Sequence, residues 1–555
     1  MGSGYGREGI FKSLKPKLEI PSSPNLSLVD FLFNKISQIP PNTPALIDSD
    51  TSATISFHHL KPTTLHFAYG LHKLGISKND VVLILSPNCH VYPVCFLAIA
   101  YIGAVATTAN PAATTKDLSS QIKDCNPKLI ITTPDLHTKI HAFNLPTVFL
   151  HHAGFQHVVN LGATCRDRIG FQVHQNDVAC LLYSSGTTGT SKGVVMTHRN
   201  FIAAAAAFEV EKECMGEGHR VYSCFLPMFH VFGLAVICYS QLVCRNSVVS
   251  MGKFEIDALL RSVEKYRITD VCAVPPVILA LVKAKSLVEY DLSSLKKIVS
   301  GAAPLGKDLM NQCAKVFPQV FVTQGYGMTE TCGIVSVDYR DTNRAATGSV
   351  GTLIAGVEAK VISIETNQSL PCNNQGEICV RGPNIMRGYL NNEQATKETI
   401  DENEWLHTGD LGYFDDSGNL YIVDRIKELI KYKGFQVAPA EIEAMLLQHS
   451  ELLDAVVIPY PDEEAGEVPA AYVVRRAESG LTENDVKRFI NDQVLNTCFM
   501  VWWLSVVRSS RSLLINGCVM CSSLTWFRSL LLERSLDDSS LKTLDPRSDH
   551  FCNIK

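Results

Sequence analysis

The chain has 555 residues, 46% of them hydrophobic, and its 50 Lys and Arg against 55 Asp and Glu leave a formal net charge of −5. That length calls for more than one domain and supplies large cores. The balanced charge, without a long basic run, excludes an electrostatic nucleic-acid surface, and no apolar run reaches the roughly 18 residues of a membrane span.

The N-terminus, MGSGYGREG, lacks the apolar core of a signal peptide, and Gly6 stands where a myristoylation signal needs Ser or Thr. The 18 cysteines are scattered, mostly in apolar segments, and read as reduced core thiols. Cys518 and Cys521 form a lone C-x-x-C without the second pair a zinc site needs. A strand at Val81–Leu85, a helix over Tyr92–Ile102 and a strand at Leu129–Thr133 come first. Val178–Leu182 is another apolar strand, followed by YSSGTTGTSKGVVMTH, Tyr183 to His198. Thr269–Val274, a helix after Pro276 and a strand at Lys297–Ser300 continue the alternation, which predicts parallel sheets covered by helices. From Gly348 the segments GSVGTLIAGVEAKVISIE, GEICVRG and GNLYIVD predict a β-rich subdomain. The charged stretch Asp424–Glu428 reads as a linker into a last unit.

In YSSGTTGTSKGVVMTH, glycines let backbone N–H groups approach an anion, hydroxyls add donors and Lys192 supplies charge. It is not a Walker A loop, because Ser191 precedes Lys192 and Gly193 follows it. A phosphate loop and a plain Ser/Gly-rich hairpin turn both remain open from composition alone. Further polar islands follow predicted strands, where open α/β sheets bind ligands. Gln324-Gly-Tyr-Gly-Met-Thr-Glu330 combines glycines with an aromatic ring suited to adenine and a carboxylate suited to Mg²⁺. His407-Thr-Gly-Asp410 offers a carboxylate for two ribose hydroxyls, and Phe229-His230 sets an imidazole among apolar residues. Singly, each island reads equally as a turn, a helix cap or a core histidine.

Together, the loop, GYGMTE, GEICVRGP, HTGD and DRIKELIKYKGFQVAPAEIE resemble the adenylate-forming acyl-CoA synthetases in order and spacing, over residues 5 to 494. Within them the chain is most similar to the plant 4-coumarate–CoA ligase-like group. The resemblance implies an α/β fold: a large N-terminal domain of parallel sheets with helices and a β-rich subdomain over residues 1–424, and a small α+β C-terminal lid over 425–494. It implies ATP, Mg²⁺, CoA and a small-molecule carboxylic acid, with acyl-AMP formed first and CoA displacing AMP. It places Ser184, Ser185, Gly186, Thr187, Thr188 and Lys192 on the β- and γ-phosphates. Ala302, Gln324, Gly325 and Thr329 contact the adenylate, Glu330 the metal, and Asp410 with Arg425 the ribose. His230 lies between acyl group and phosphate, and Lys253, Lys433 and Gly434 meet CoA. Lys431 and Gln436 are further nucleotide contacts of the lid, and Lys427 is the hinge.

Two departures stand out. The acyl-pocket stretch reads Phe229-His-Val-Phe-Gly-Leu-Ala-Val236, so Phe232 and Val236 replace hydroxyl side chains of strict 4-coumarate ligases, and Thr331-Cys-Gly333 replaces their Ala-Gly-Pro. This favours aliphatic acids, fatty acyl or oxylipin-like, over hydroxycinnamates. After Val494 the family pattern P-x-x-x-x-G-K, whose lysine bridges carboxylate and α-phosphate, does not follow: the lysines after Gln436 are Lys487, Lys542 and Lys555, none preceded by glycine. Residues 495–555 read as out-of-family sequence, as a retained intron or misjoined exon would supply, and as poorly ordered. The alternative function is therefore an impaired chain that binds nucleotide or acyl-adenylate. The end, Asn-Ile-Lys, is not a peroxisomal tripeptide, leaving cytoplasm or peroxisome as the expected compartment.

Overall fold

The structure, a computed structural model, describes residues 4–6, 9–165, 170–184, 191–338, 348–432, 435–462, 466–476, 479–494 and 505–508, the backbone alone at 435–436, 491–494 and 505–508. Four sheets organise it.

In the first sheet, Val178–Ser184, Val105–Thr108, Val81–Leu85, Leu129–Thr132 and Thr147–Phe149 run parallel as neighbours in that order. Their near-continuous apolar runs suit strands covered on both faces. Tyr92–Ile102 is the helix its sequence predicts; it is apolar all round and buried, started by Pro93 and stopped by Gly103 at φ 79°. The second sheet carries Ser247–Ser250, Val221–Cys224, Asp270–Ala273, Lys297–Ser300 and Phe321–Tyr326 in parallel. Parallel strands share one carboxyl edge, so the loops after Cys224, Ser300 and Tyr326 open on the same side.

The third sheet is antiparallel, with Phe11–Lys12, Glu358–Ile362, Gly376–Arg381, Leu406–Phe414 and Leu420–Arg425 in order. This is the β-rich subdomain expected from Gly348 onward. The parallel sheets expected of the large domain carry antiparallel strands at their margins. Lys192–Thr197 turns back antiparallel on Val178–Ser184, and Ser336–Val337 turns back on Phe321–Tyr326. A short connection leaves the chain no crossover, so it must return antiparallel.

The C-terminal sheet joins Phe435–Val437, Ile430–Tyr432, Gly466–Arg475 and Leu452–Asp462, with the helices Pro439–Leu446 and Glu483–Val494 closing its core. In the tail, Ser505–Arg508 forms a strand parallel to Ala470–Val473. The run Ser505-Val-Val-Arg508 contains two β-branched residues, which suit a strand. Cys518 and Cys521 lie outside the described residues. Among the described residues, no helix is long and apolar enough to cross a membrane.

Candidate nucleotide and acyl site

Three sheets meet at Glu330, Tyr326 and Asp410. Glu330 follows Phe321–Tyr326 in a short helical turn, Thr329–Thr331, and is 5% exposed. Its Oε1 accepts from Ser184 Oγ at 3.1 Å and from Tyr389 Oη at 2.9 Å. Both donors belong to the first sheet, where Gly388–Tyr389 pairs with Lys192–Thr197. Four residues back, Tyr326 reaches the third sheet by donating its hydroxyl to Asp410 Oδ2 at 2.5 Å.

The loop sequence Tyr183–His198 is a β-hairpin, with Ser184 facing Lys192 across the strands. The ends of its two strands, at Ser184 and Lys192, are set beside Glu330 and Tyr389. The Lys192 ammonium lies 5.0 Å from the Tyr389 ring centroid, a cation–π distance. Ser185, Gly186, Thr187 and Thr188 lie outside the described residues, as do Lys433 and Gly434.

Asp410 and Arg425 face each other across the strands Leu406–Phe414 and Leu420–Arg425, with Arg425 Nε 3.5 Å from Asp410 Oδ1. Gly409, at φ 71°, makes the turn that presents this carboxylate, and Thr408 Oγ1 accepts the Asp410 N–H at 3.1 Å. Burial pushes the Asp410 carboxyl up to about 6, against the pull of Arg425 and the Tyr326 hydroxyl. Each Asp410 oxygen retains a second lone pair for a ribose hydroxyl.

Two expected nucleotide contacts are placed differently from a simple wall of the site. Gln324 is buried, its Oε1 accepting from Leu305 N at 2.7 Å, so its side chain fixes the loop after Ser300. In that loop Ala302 is exposed and held at φ 67°, unusual for a residue with a Cβ. Gly325 ends its strand against Val337, and Thr329 stands half-buried beside Glu330. The Tyr326 ring, expected to suit adenine, serves through its hydroxyl as the tie to Asp410.

His230 sits after Val221–Cys224 on the shared carboxyl edge, its ring 4.3 Å from that of Phe229. The residue keeps some exposure, and the protein around its ring withdraws water, which lowers its pKa and favours the neutral form. Phe232–Tyr239 is wound as a π-helix, a form that gathers at functional sites. It points Phe232 at Gly301, where a Cβ would come within 2.7 Å of the ring. Val236 likewise packs on Gly333, whose Cβ would meet Cγ2 at 2.7 Å. Val236 and Gly333, one from each sequence departure, thus pack on each other.

Lys253 is exposed and pairs with Glu255 at 3.0 Å. Lys427 lies in the turn Ile426–Glu428 between the third sheet and the C-terminal sheet, where the Asp424 carboxylate accepts Ala440 N at 2.9 Å from the helix Pro439–Leu446. Lys431 is exposed, and in the lid sheet it pairs in register with Gln436. Tyr389 was not found by sequence reasoning. Its segment, Gly388-Tyr-Leu, carries no motif, and only strand pairing with Val194 and Val195 brings it to Glu330.

Comparison with known proteins agrees with this geometry. The AMP-binding enzyme family model matches residues 33–390, and the model of the AMP-binding enzyme C-terminal domain matches 441–498. The peroxisomal OPC-8:0-CoA ligase 1 of Arabidopsis thaliana is 40% identical over 509 residues, covering 89% of this chain and 92% of its own. The 4-coumarate–CoA ligase 1 of Arabidopsis thaliana is 39% identical over 513 residues, covering 88% and 90%. The ATP-bound MatB of Rhodopseudomonas palustris superposes with a TM-score of 0.77 at 27% identity, over 91% of this chain and all of that one. The chain belongs to the AMP-binding enzymes, as an acid–thiol ligase of the 4-coumarate–CoA ligase-like group within the adenylate-forming acyl-CoA synthetases.

Proposed function

We propose that the chain activates a medium or long aliphatic carboxylic acid with ATP, forming acyl-AMP and then acyl-CoA, in preference to a hydroxycinnamate. The observation that carries the preference is the Phe232–Gly301 and Val236–Gly333 packing, which lines the π-helix side of the cleft with apolar groups. A phenol pressed against that wall without a partner costs about 1–3 kcal/mol. The similarity to an OPC-8:0-CoA ligase supports the same reading.

Attack of a carboxylate on an α-phosphate brings anions together, so the barrier is largely electrostatic and fixed donors lower it. Lys192 supplies charge at the hairpin that holds the leaving pyrophosphate. Asp410 takes the ribose hydroxyls and Arg425 orients it. Neutral His230 is a hydrogen-bonding wedge beside the acyl carboxylate, adding no charge of its own. Glu330 fits Mg²⁺: one carboxylate already fixed by two hydroxyls suits an ion that takes its remaining ligands from phosphate and water. When bound, the ion neutralises phosphate charge.

We place the large domain at 1–424, the lid at 425–494 and the tail at 495–555, with Lys427 as hinge and Lys253, Lys431, Lys433, Gly434 and Gln436 toward CoA and nucleotide. The main hydrophobic cores on either side of the turn Ile426–Glu428 support that division, and the small cluster of Leu411, Leu429 and Ala438 bridges it. A moving lid lets one site shed pyrophosphate and admit a thiol. The second reading, an impaired nucleotide binder, is favoured by one observation: no lysine after Gln436 follows a glycine.

The test is acid-dependent pyrophosphate release across an acid series. Higher kcat/KM for aliphatic acids is expected, and a higher value for 4-coumarate overturns the preference. ATP binding without any acid-dependent pyrophosphate supports the second reading.

A further inference from the structure

Behind the turn that carries Asp410, three metal-ligating side chains converge. Cys379 and His407 are register partners on the strands Gly376–Arg381 and Leu406–Phe414, and Glu377, two residues before Cys379, projects from the same face. His407 Nδ1 lies 3.0 Å from Glu377 Oε2 and 3.6 Å from Cys379 Sγ, and all three donor atoms lie within 4.8 Å of one another.

We propose that Glu377, Cys379 and His407 form a binding site for a zinc-class divalent cation that pins the Asp410 turn. The nucleotide chemistry does not use these side chains. A tetrahedral ion with bonds of about 2.0 Å to N and O and about 2.3 Å to S separates N from O by roughly 3.3 Å and N from S by roughly 3.5 Å. The two distances from His407 Nδ1 differ from these by only a few tenths of an ångström, and the Glu377 and Cys379 donor atoms lie within 4.8 Å of each other. Imidazole, thiolate and carboxylate together select zinc-like ions over Mg²⁺ or Ca²⁺.

The surroundings support the assignment. His407 Nε2 is turned toward Asp401 Oδ2, 3.9 Å away, the outer carboxylate that commonly orients a metal-bound histidine. The His407 and Glu377 side chains remain 25% and 17% exposed, which gives an ion a way in and leaves water for a fourth position. Glu377 Oε1 accepts Gly409 N at 3.0 Å, so an ion on Oε2 is one carboxylate away from the residue preceding Asp410.

Cobalt(II) titration of the full chain tests the site, because a thiolate bound to cobalt gives a charge-transfer band in the near ultraviolet. One equivalent with that band is expected, displaced by zinc and stripped by EDTA. Cys379→Ser should abolish the band, whereas Cys518→Ser with Cys521→Ser should leave it. His407→Asn, at a partly exposed position that should not perturb folding, should weaken binding at least tenfold. Absence of the band, its persistence in Cys379→Ser, or unchanged affinity in His407→Asn overturns the proposal.

Discussion

The large domain and the lid differ in how much each can lose. The main core of the large domain is one cluster that runs from Phe11 to Leu420 and joins three sheets. Among the described residues, the lid's main core holds eleven buried hydrophobic side chains, from Ile430 to Ile490. The C-terminal unit meets the large domain through polar contacts, such as Lys283 Nζ to the Leu452 carbonyl at 3.1 Å and Gln448 to Asp308 at 2.7 Å, and through a small apolar cluster of Leu411, Leu429 and Ala438. A partner that swings needs a small, separable core and an interface that costs little to break. The site's fixed geometry, Ser184 and Tyr389 on Glu330 and Tyr326 on Asp410, belongs entirely to the large side.

This contrast breaks most visibly in the chemical step. Replacing residues 495–555 with the C-terminal segment of a 4-coumarate–CoA ligase should raise the adenylation rate on the order of 10²–10³, about 3–4 kcal/mol, by restoring one transition-state donor. Single-turnover pyrophosphate release measures it, and equal rates in the two forms would remove the lysine from the account.

Next comes core damage. Ile442→Ala opens a cavity in the lid and should cost about 2–5 kcal/mol there, enough to unfold so small a unit while ATP binding persists. Proteolysis that leaves a nucleotide-binding large fragment is the expected record. Loss of ATP binding alongside it would show that the two regions are not separable.

Asp410→Asn sharpens the comparison from the large side, weakening ATP by roughly ten- to a hundredfold, since hydrogen bonds to a charged acceptor are worth about 1.5–3 kcal/mol. The wild-type chain should show the same loss as pH falls through about 6 and Asp410 takes a proton. The sign for stability is opposite. The folded pKa lies above the unfolded one, so the charged form costs the fold at neutral pH, and that cost disappears between about pH 6 and 4. Asp410→Asn should therefore raise Tm at pH 7, and calorimetry reads both effects.

The smallest effect is in specificity. Phe232→Tyr with Val236→Ser should move the ratio of kcat/KM several-fold toward 4-coumarate, within the 1–3 kcal/mol an unpaired polar group commands. An unchanged ratio would separate the Gly301 and Gly333 packing from acid choice.

Periodicity made individual elements readable. Tyr92–Ile102 was legible to the residue because an all-apolar helix ends at a glycine that can take φ 79°. Motif order singled out Lys192, Glu330, Asp410 and Arg425 as candidates. Beyond Val494 periodicity had nothing to read at Ser505–Arg508, which is four residues long and pairs with a strand some 35 positions earlier.

What the sequence determined by itself was local and chemical: which stretches are strands and helices, and which carboxylates, hydroxyls and cations the reaction has at its disposal. Apolar period and turn residues act over a few positions, so they can be read without a fold. Tertiary structure alone decided the pairings across sheets. It gave Tyr389 to Glu330, turned the Tyr326 hydroxyl to Asp410, buried Gln324 as a loop support and set Cys379 opposite His407. Each joins residues distant in the chain through strand register or sheet packing, and such contacts are selected only when the whole core closes.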